Sequence, residues 1–444
     1  MIRLLKISIL FLIIAHYAMA QNPFIRDQFS ADPSARVFDG RVYVYPSHDI
    51  LAKKGKGRVG WFCMEDYHVF SSDNLTDWTD HGVIVKQNEV PWVKKNSYAM
   101  WAPDCIYKNG KYYFYFPATP ADTTNKRRFT IGVAVSDKPT GPFIPQPESI
   151  KNVRGIDPNV FIDKDGQAYL YWSGGNIFGA KLKDNMLELA TETKILGELP
   201  EKGLKEGPYL FERNGVYYLT YPHVENKIER LEYAISDNPL GPFKFAGVIM
   251  DESPKGCWAN HHSIIQYKNQ WYLFYHHNDY SPKFDKSRSV RIDSLFFNDD
   301  GSIKKVTPTF RGVGITDAKQ NIQLDRYSRI SDNGASIAFL DSLHTFSGWK
   351  TILNSPGAWV QYNTVDFGKR LIRTISVRAA SAGGILQLHT NGLNGPLVVE
   401  MKIPASKDWL ITKATLSKLK SGIINIVVVL KGAGPVEVDW ISFE

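Results

Sequence analysis

The chain has 444 residues, of which 43% are hydrophobic, 13% aromatic and 22% charged, and that composition excludes a disordered or low-complexity protein. Its formal net charge is +8, yet the basic residues are scattered. They build no recognition helix or basic arm, so nucleic-acid binding is excluded as the main function, and a mild attraction to acidic polysaccharide is the most the charge implies.

In chain order the first feature is a basic start, Arg3 and Lys6, followed by an apolar run over 7–15 and by Ala18-Met19-Ala20. This is the pattern of a signal peptide over residues 1–20, too short to span a membrane, and it predicts a secreted or periplasmic protein. Removing it takes the charge to +6, because residues 1–20 hold two basic residues and no acid. No cysteine follows that would carry a lipid anchor, and no later segment is apolar enough for a membrane span. Cys63, Cys105 and Cys257 have no paired spacing, which leaves either one disulfide or three buried thiols.

From Asp32 onward one phrase is repeated five times. A polar opening, often with Pro, leads into a strand, a tight turn and an aromatic-rich strand. The openings are Asp32-Pro33-Ser34, Ala102-Pro103-Asp104, Asp157-Pro158-Asn159, Glu206-Gly207-Pro208 and His261-His262-Ser263. The turns are marked at 40, 110, 166, 215 and 270, spaced 70, 56, 49 and 55 residues apart. Asp-Gly and Asn-Gly between alternating aromatic runs signal two-residue hairpins. Repeats of this length made only of strand signals predict propeller blades. Three openings carry an acid: Asp32, Asp157 and Glu206. Blade starts converge on one end of a propeller axis, so these three acids are expected in one pocket. Mutual repulsion there raises the pKa of one acid while another stays ionised, which equips the pocket for general acid/base attack on a glycosidic bond.

The segments around Asp32-Pro33-Ser34, Trp101-Ala102-Pro103-Asp104, Gly155-Ile156-Asp157-Pro158-Asn159, Lys205-Glu206-Gly207-Pro208-Tyr209 and Asn260-His261-His262-Ser263 resemble the signature segments of glycoside hydrolase family 43. The resemblance spans roughly 22–315 and implies a five-bladed β-propeller that hydrolyses arabinofuranosides, xylosides and related plant linkages with inversion. It further implies Asp32 as general base, Glu206 as general acid, and Asp157, ionised, as the residue that tunes and orients that acid. Arg288 is implied to reach into the sugar subsite. Inversion requires the base and acid to stand roughly 6.5–9.5 Å apart, with water beneath the sugar. Trp101 is a candidate wall of the pocket. His262 is read as occupying the repeat position of Asp32, facing the axis. In relatives such a histidine lies near calcium or its waters, so calcium has a place there although catalysis requires no cofactor and no metal ligand is assigned. His48-Asp49 and Trp61-Phe62 follow the first hairpin at the pocket mouth.

Near Phe310 the repeat stops. Short β-runs separated by turns then continue to Glu444, predicting a β-sandwich of jelly-roll type. Val365-Asp366-Phe367-Gly368 and Val438-Asp439-Trp440-Ile441-Ser442-Phe443 resemble carbohydrate-binding module family 6. Trp359, Tyr362 and Trp409 are the candidate sugar-stacking rings. The binding asparagine of that module is replaced by Val436-Glu437. Its calcium acids are only partly present, with Gln323 in the place of one while Asp325 and Asp439 remain.

The expected domains are thus a signal peptide over 1–20, a catalytic propeller over 21–315 and a carbohydrate-binding-like sandwich over 316–444, all-β throughout. The expected function is an inverting hydrolase of (arabino)xylan, an α-L-arabinofuranosidase or β-xylosidase, with polysaccharide or oligosaccharide as its partner. Galactan-, arabinan- or fructan-active propellers are the alternatives among enzymes. Gly207-Pro208 after Glu206, where fructan-active enzymes carry Cys, disfavours that kind. A non-catalytic carbohydrate-binding propeller is the alternative outside enzymes, disfavoured by three mutually repelling acids.

Overall fold

Asp39-Gly40, Asn109-Gly110 and Asn214-Gly215 all take positive φ at both residues, the backbone of a two-residue hairpin turn. The third repeat turns differently. Gly166 alone has positive φ and Asp163–Gln167 forms a longer loop. In the fifth the turn is Lys268-Asn269, and Gln270, the expected turn position, already begins the next strand. The computed structural model describes residues 21–444 except 123–128, 198, 201, 255, 259, 370, 418 and 433, so the signal-peptide segment lies outside the described residues.

These hairpins build five antiparallel sheets, the blades of a propeller. Blade 1 begins with Phe29–Phe38 and Arg41–Asp49, blade 2 with Asp104–Lys108 and Lys111–Ala118, and blade 3 with Ile156–Ile162 and Ala168–Ser173. Blade 4 is built around Tyr209–Arg213 and Val216–Val224, and blade 5 around Ser263–Tyr267, Gln270–His277 and Ser289–Leu295. Aromatic and β-branched residues on the inner faces fill the spaces between blades, for example Tyr45, Tyr67 and Phe114 between blades 1 and 2. The N-terminal segment closes the ring on blade 5. Phe24 N–H donates to Val290 O at 3.3 Å and Ser30 N–H to Arg288 O at 2.9 Å. The Asn22 side chain bonds Ile292 in both directions.

Ladder partners place Ser34, Asp104, Asn159, Tyr209 and Ser263 at one level around the axis. That level is stitched by hydrogen bonds. Ser34 donates to Asp104 at 2.6 Å, Asn159 donates to Asp104 at 3.1 Å, Leu210 N–H donates to Asn159 at 2.9 Å, and Ala35 N–H donates to Ser263 at 2.9 Å. Arg36 adds its guanidinium to Asp104, so this buried acid is paired and fully bonded.

Thr316–Asp317 already pairs with Trp359–Asp366, and from there two sheets of the sandwich enclose a separate core that includes Leu324, Val360, Leu388 and Val438. Among the described residues no α-helix occurs, and no helix is long and apolar enough to cross a membrane. Cys63, Cys105 and Cys257 are buried free thiols.

Candidate active site

Two residues before the stitched level, each blade offers one residue to the axis mouth: Asp32, Ala102, Asp157, Gly207 and His261. The first, third and fourth of these have positive φ, at 48°, 56° and 54°. A left-handed backbone strains a residue bearing a Cβ, and here it kinks the blade start so that Asp32 and Asp157 turn toward the mouth. Gly207 meets the same need without strain. A Cβ there would also lie 3.0–3.2 Å from Pro222 and His261. This register corrects the sequence reading of His262. His261 takes the position of Asp32, while His262 aligns with Pro33, donates to or accepts from Thr220 Oγ1 at 2.6 Å, and stays beneath the cavity.

The mouth holds a cavity of about 150 Å3, lined among others by Asp32, Trp101, Asp157, Glu206, His261 and Arg288. Trp61, Phe62 and Trp258 complete an aromatic wall, with Phe62 against Trp101 at 5.9 Å. The volume matches that of a cavity that takes a single six-membered ring. The structure thus brings the three acids, Trp101 and Arg288 together and leaves His262 out.

Asp32 is held as a carboxylate. Burial pushes its pKa up, but the Arg288 guanidinium and a hydrogen bond from Ser47 at 2.7 Å outweigh burial and bring it below the ordinary range. Arg288 Nη1 donates to Asp32 at 2.8 Å, while its Nε and Nη2 grip Asp49 at 2.9 Å each. Asp49 therefore fixes the arginine that fixes the base. Asp32 N–H donates to Nδ1 of His276 at 3.0 Å, and burial keeps that imidazole neutral.

Glu206 is pushed the other way. Burial and the charge of Asp32 raise its pKa against a hydrogen bond from Glu229. Asp157 is raised well above its usual value by burial, Glu206 and Asp32, even though Gly207 N–H donates to it at 3.0 Å. This direction runs against the ionised Asp157 expected from the sequence. Asp32 is thus pushed toward the charged form, while burial and mutual repulsion push Asp157 and Glu206 toward the protonated one.

Glu229 is a fourth carboxyl that sequence reasoning missed. It is fully buried in the cavity wall, accepts from Asn260 N–H, and is raised well above its usual pKa by burial and Glu206. It precedes the strand Arg230–Ser236 outside any repeated phrase, so no spacing signal marked it.

Calcium takes six to eight oxygen ligands. Around His262 the bonded protein oxygen is the Thr220 hydroxyl. Nδ1 of His262 is buried without a protein partner, so calcium there would be held through water and the imidazole rather than by a protein cage. In the module, Asp439 is paired with Arg378, whereas Asp325 lies 3.2 Å from Arg326 Nε with neither carboxylate oxygen hydrogen-bonded.

In the sandwich, Tyr362 is fully buried, with its hydroxyl bonded to Gln21 at 3.0 Å and Thr316 at 2.9 Å. A ring at the domain contact cannot stack on sugar, which corrects that expectation. Trp359 and Trp409 are half-buried on different sheets, so they form no sandwich pair. Trp409 lies beneath the cations of Arg378 and Lys350, at 5.1 and 5.9 Å.

The sequence profile of glycosyl hydrolases family 43 matches residues 20–303, and that of the carbohydrate binding module (family 6) matches 332–444. The chain is 38% identical over 335 residues to Xylosidase/arabinosidase 43A of Humicola insolens, covering 64% of this chain and 99% of that one. Among solved structures it resembles a family 43 β-xylosidase/α-arabinofuranosidase from a compost microbial metagenome, in complex with xylotriose and calcium-free. The identity is 35%, the TM-score 0.58, and the coverage 65% of this chain and 98% of that one. A Bacillus subtilis arabinoxylan arabinofuranohydrolase shares the fold over 95% of this chain and 97% of its own, at 24% identity and TM-score 0.56.

Proposed function

The chain belongs to glycosyl hydrolases family 43, and we propose that it is an exported, inverting exo-glycosidase that removes single xylose or arabinofuranose units from hemicellulose. The observation that carries this reading is the pair Asp32 and Glu206 on one ring-sized cavity with pKa values driven in opposite directions. Such a cavity suits one terminal sugar rather than a polymer laid across it. The resemblance to enzymes named xylosidase/arabinosidase supports the pentose. Residues 1–20 have the pattern of an export signal, which supports a secreted or periplasmic site of action.

In this mechanism the sugar packs against the aromatic wall. Asp32 accepts a proton from water as that water attacks the anomeric carbon. Glu206 donates its proton to the departing glycosidic oxygen. Asp157 and Glu229 hold Glu206 in place and share its proton, while Arg288 keeps Asp32 oriented and ionised. The reaction needs no covalent intermediate. A panel of nitrophenyl glycosides with NMR of fresh product tests the reading. Release of xylose or arabinose as the inverted anomer is expected, and a retained anomer or cleavage of neither glycoside overturns it.

A further inference from the structure

Blade 1 carries a second cluster of chemistry on its other face. His48 ends the strand Arg41–Asp49, and Asp66 and His68 begin the adjacent strand Asp66–Ser72. Alternation along a strand sends these three to the face opposite Ser47, Asp49 and Tyr67, which face the core and the catalytic arginine. One ligand atom from each of the three lies within 4.8 Å of the others. None of the three lines the catalytic cavity.

Each imidazole of the cluster lies against a carboxylate. Nδ1 of His48 is 2.7 Å from Asp66 Oδ1, and Nδ1 of His68 is 3.1 Å from both oxygens of Asp80. Donation of Nδ1–H to Asp80 turns Nε2 of His68 outward, the orientation that metal-binding histidines use, while at His48 it is Nδ1 that faces the Asp66 carboxylate as a ligand atom. Phe70 stacks on His68 and the two histidine rings meet edge to face at 5.0 Å, so the rings are braced. Asp66 and Asp80 have no Lys or Arg ion-pair partner among the described residues. The cluster therefore sets two carboxylates beside two nitrogen donors. At 13–19% side-chain exposure the three groups are held but open to an ion.

We propose that His48, Asp66 and His68 form a binding site for a divalent transition ion of the zinc class, completed by water. Two imidazoles and one carboxylate suit that class and not calcium or magnesium, which take all-oxygen sets. Asp80 is the outer partner that orients His68. The ion would tie together the two strand ends behind Asp49 and brace blade 1 without entering the reaction.

The test uses the full-length protein stripped with a chelator. Titration with Zn2+ by calorimetry is expected to show one tight equivalent and a rise in Tm, and Co2+ to give visible ligand-field bands. Ca2+ at the same concentration should do neither. His48→Gln and His68→Gln should each remove the equivalent and the bands while keeping turnover of a nitrophenyl glycoside, which reports their folding. Asp80→Asn should weaken Zn2+ binding by about 10- to 100-fold. Absence of both the Zn2+ equivalent and the Co2+ bands in the unaltered protein overturns the proposal, whatever the variants do. So does an equivalent that persists undiminished in both histidine variants.

Discussion

Asp32 and Glu206 face one cavity from environments that differ in charge, and their substitutions should therefore fail in different ways. Asp32→Asn removes the proton acceptor, so activity on every substrate should drop by about 10^2- to 10^4-fold. Glu206→Gln should cost as much on xylan-type linkages and far less on a nitrophenyl glycoside, whose leaving group hardly needs a proton. Equal, mild losses on polymer would defeat the assignment. Glu229 is the sharper test, because it acts through Glu206. Its carboxyl, whose own pKa burial and Glu206 push up, donates a hydrogen bond to Glu206 and lowers that acid's pKa, opposing the rise caused by burial and Asp32. Glu229→Ala should therefore move the alkaline limb of the kcat/KM profile to higher pH and reduce kcat, whereas Glu229→Gln, which still has a donor, should leave the limb in place. If neither variant moves the limb, Glu229 only fills space. Stability gives an independent sign. Glu229 has a raised folded pKa, so its contribution is intact below the ordinary carboxylate range and lost as pH rises through the folded value. Glu229→Gln should thus raise Tm near neutral pH and leave it unchanged in acid. Asp32, lowered, has the opposite linkage and loses its stabilising effect only as pH falls.

At the scale of elements, the blade starts explain what could be read in the sequence. Asp-Pro at 32 and 157 is visible because the kinked opening needs an unusual backbone, and the same kink aims the acids. His261-His262 was ambiguous because it lacks the proline that fixes the register. A slip of one residue exchanges the face that each side chain sees. Glu229 was invisible for a simpler reason, since it sits in a connection that no other blade copies. The place of Asp157 in the pocket was legible, but the burial that pushes its pKa up was not, because spacing does not reveal burial. Ring closure was not legible either. It rests on Asn22, whose Nδ2 donates to Ile292 O at 3.0 Å and Thr309 O at 2.8 Å, and whose Oδ1 accepts from Ile292 N–H at 2.9 Å. Asn22→Ala leaves these buried groups unpaired and should cost about 2 kcal/mol or more in a denaturant titration. A loss within about 0.5 kcal/mol, the scale of an ordinary surface substitution, would mean that the segment is dispensable for closure.

At the scale of the whole molecule, the propeller and the sandwich are joined by aromatic contacts and by buried cations, Arg311 reaching Asn363 and Thr364 and Arg326 reaching back. Tyr280 of the propeller stacks on Trp349 at 4.8 Å and meets Phe346 at 4.9 Å, and Phe29 meets Phe346 at 4.8 Å. Arg326 is fully buried, with its guanidinium over Trp349 at 4.1 Å and bonded to the carbonyl of Asn22. The residue that closes the ring is therefore also the residue that the sandwich grips. Every residue lining the catalytic cavity nevertheless lies before Phe310. A chain cut to residues 21–315 should keep its kcat/KM on small aryl glycosides per folded molecule, while its Tm falls because Phe29, Tyr280 and the Asn22 carbonyl lose their cover. Its activity on insoluble xylan discriminates the role of the sandwich. If that domain binds sugar, tethering raises the effective concentration at the surface, and the truncation should lose insoluble activity far more than soluble activity. If it only braces the propeller, both should fall together as the temperature approaches the lowered Tm. Loss of small-substrate turnover in a truncation that remains folded by circular dichroism would show that the sandwich reaches the active site, against the geometry of the cavity.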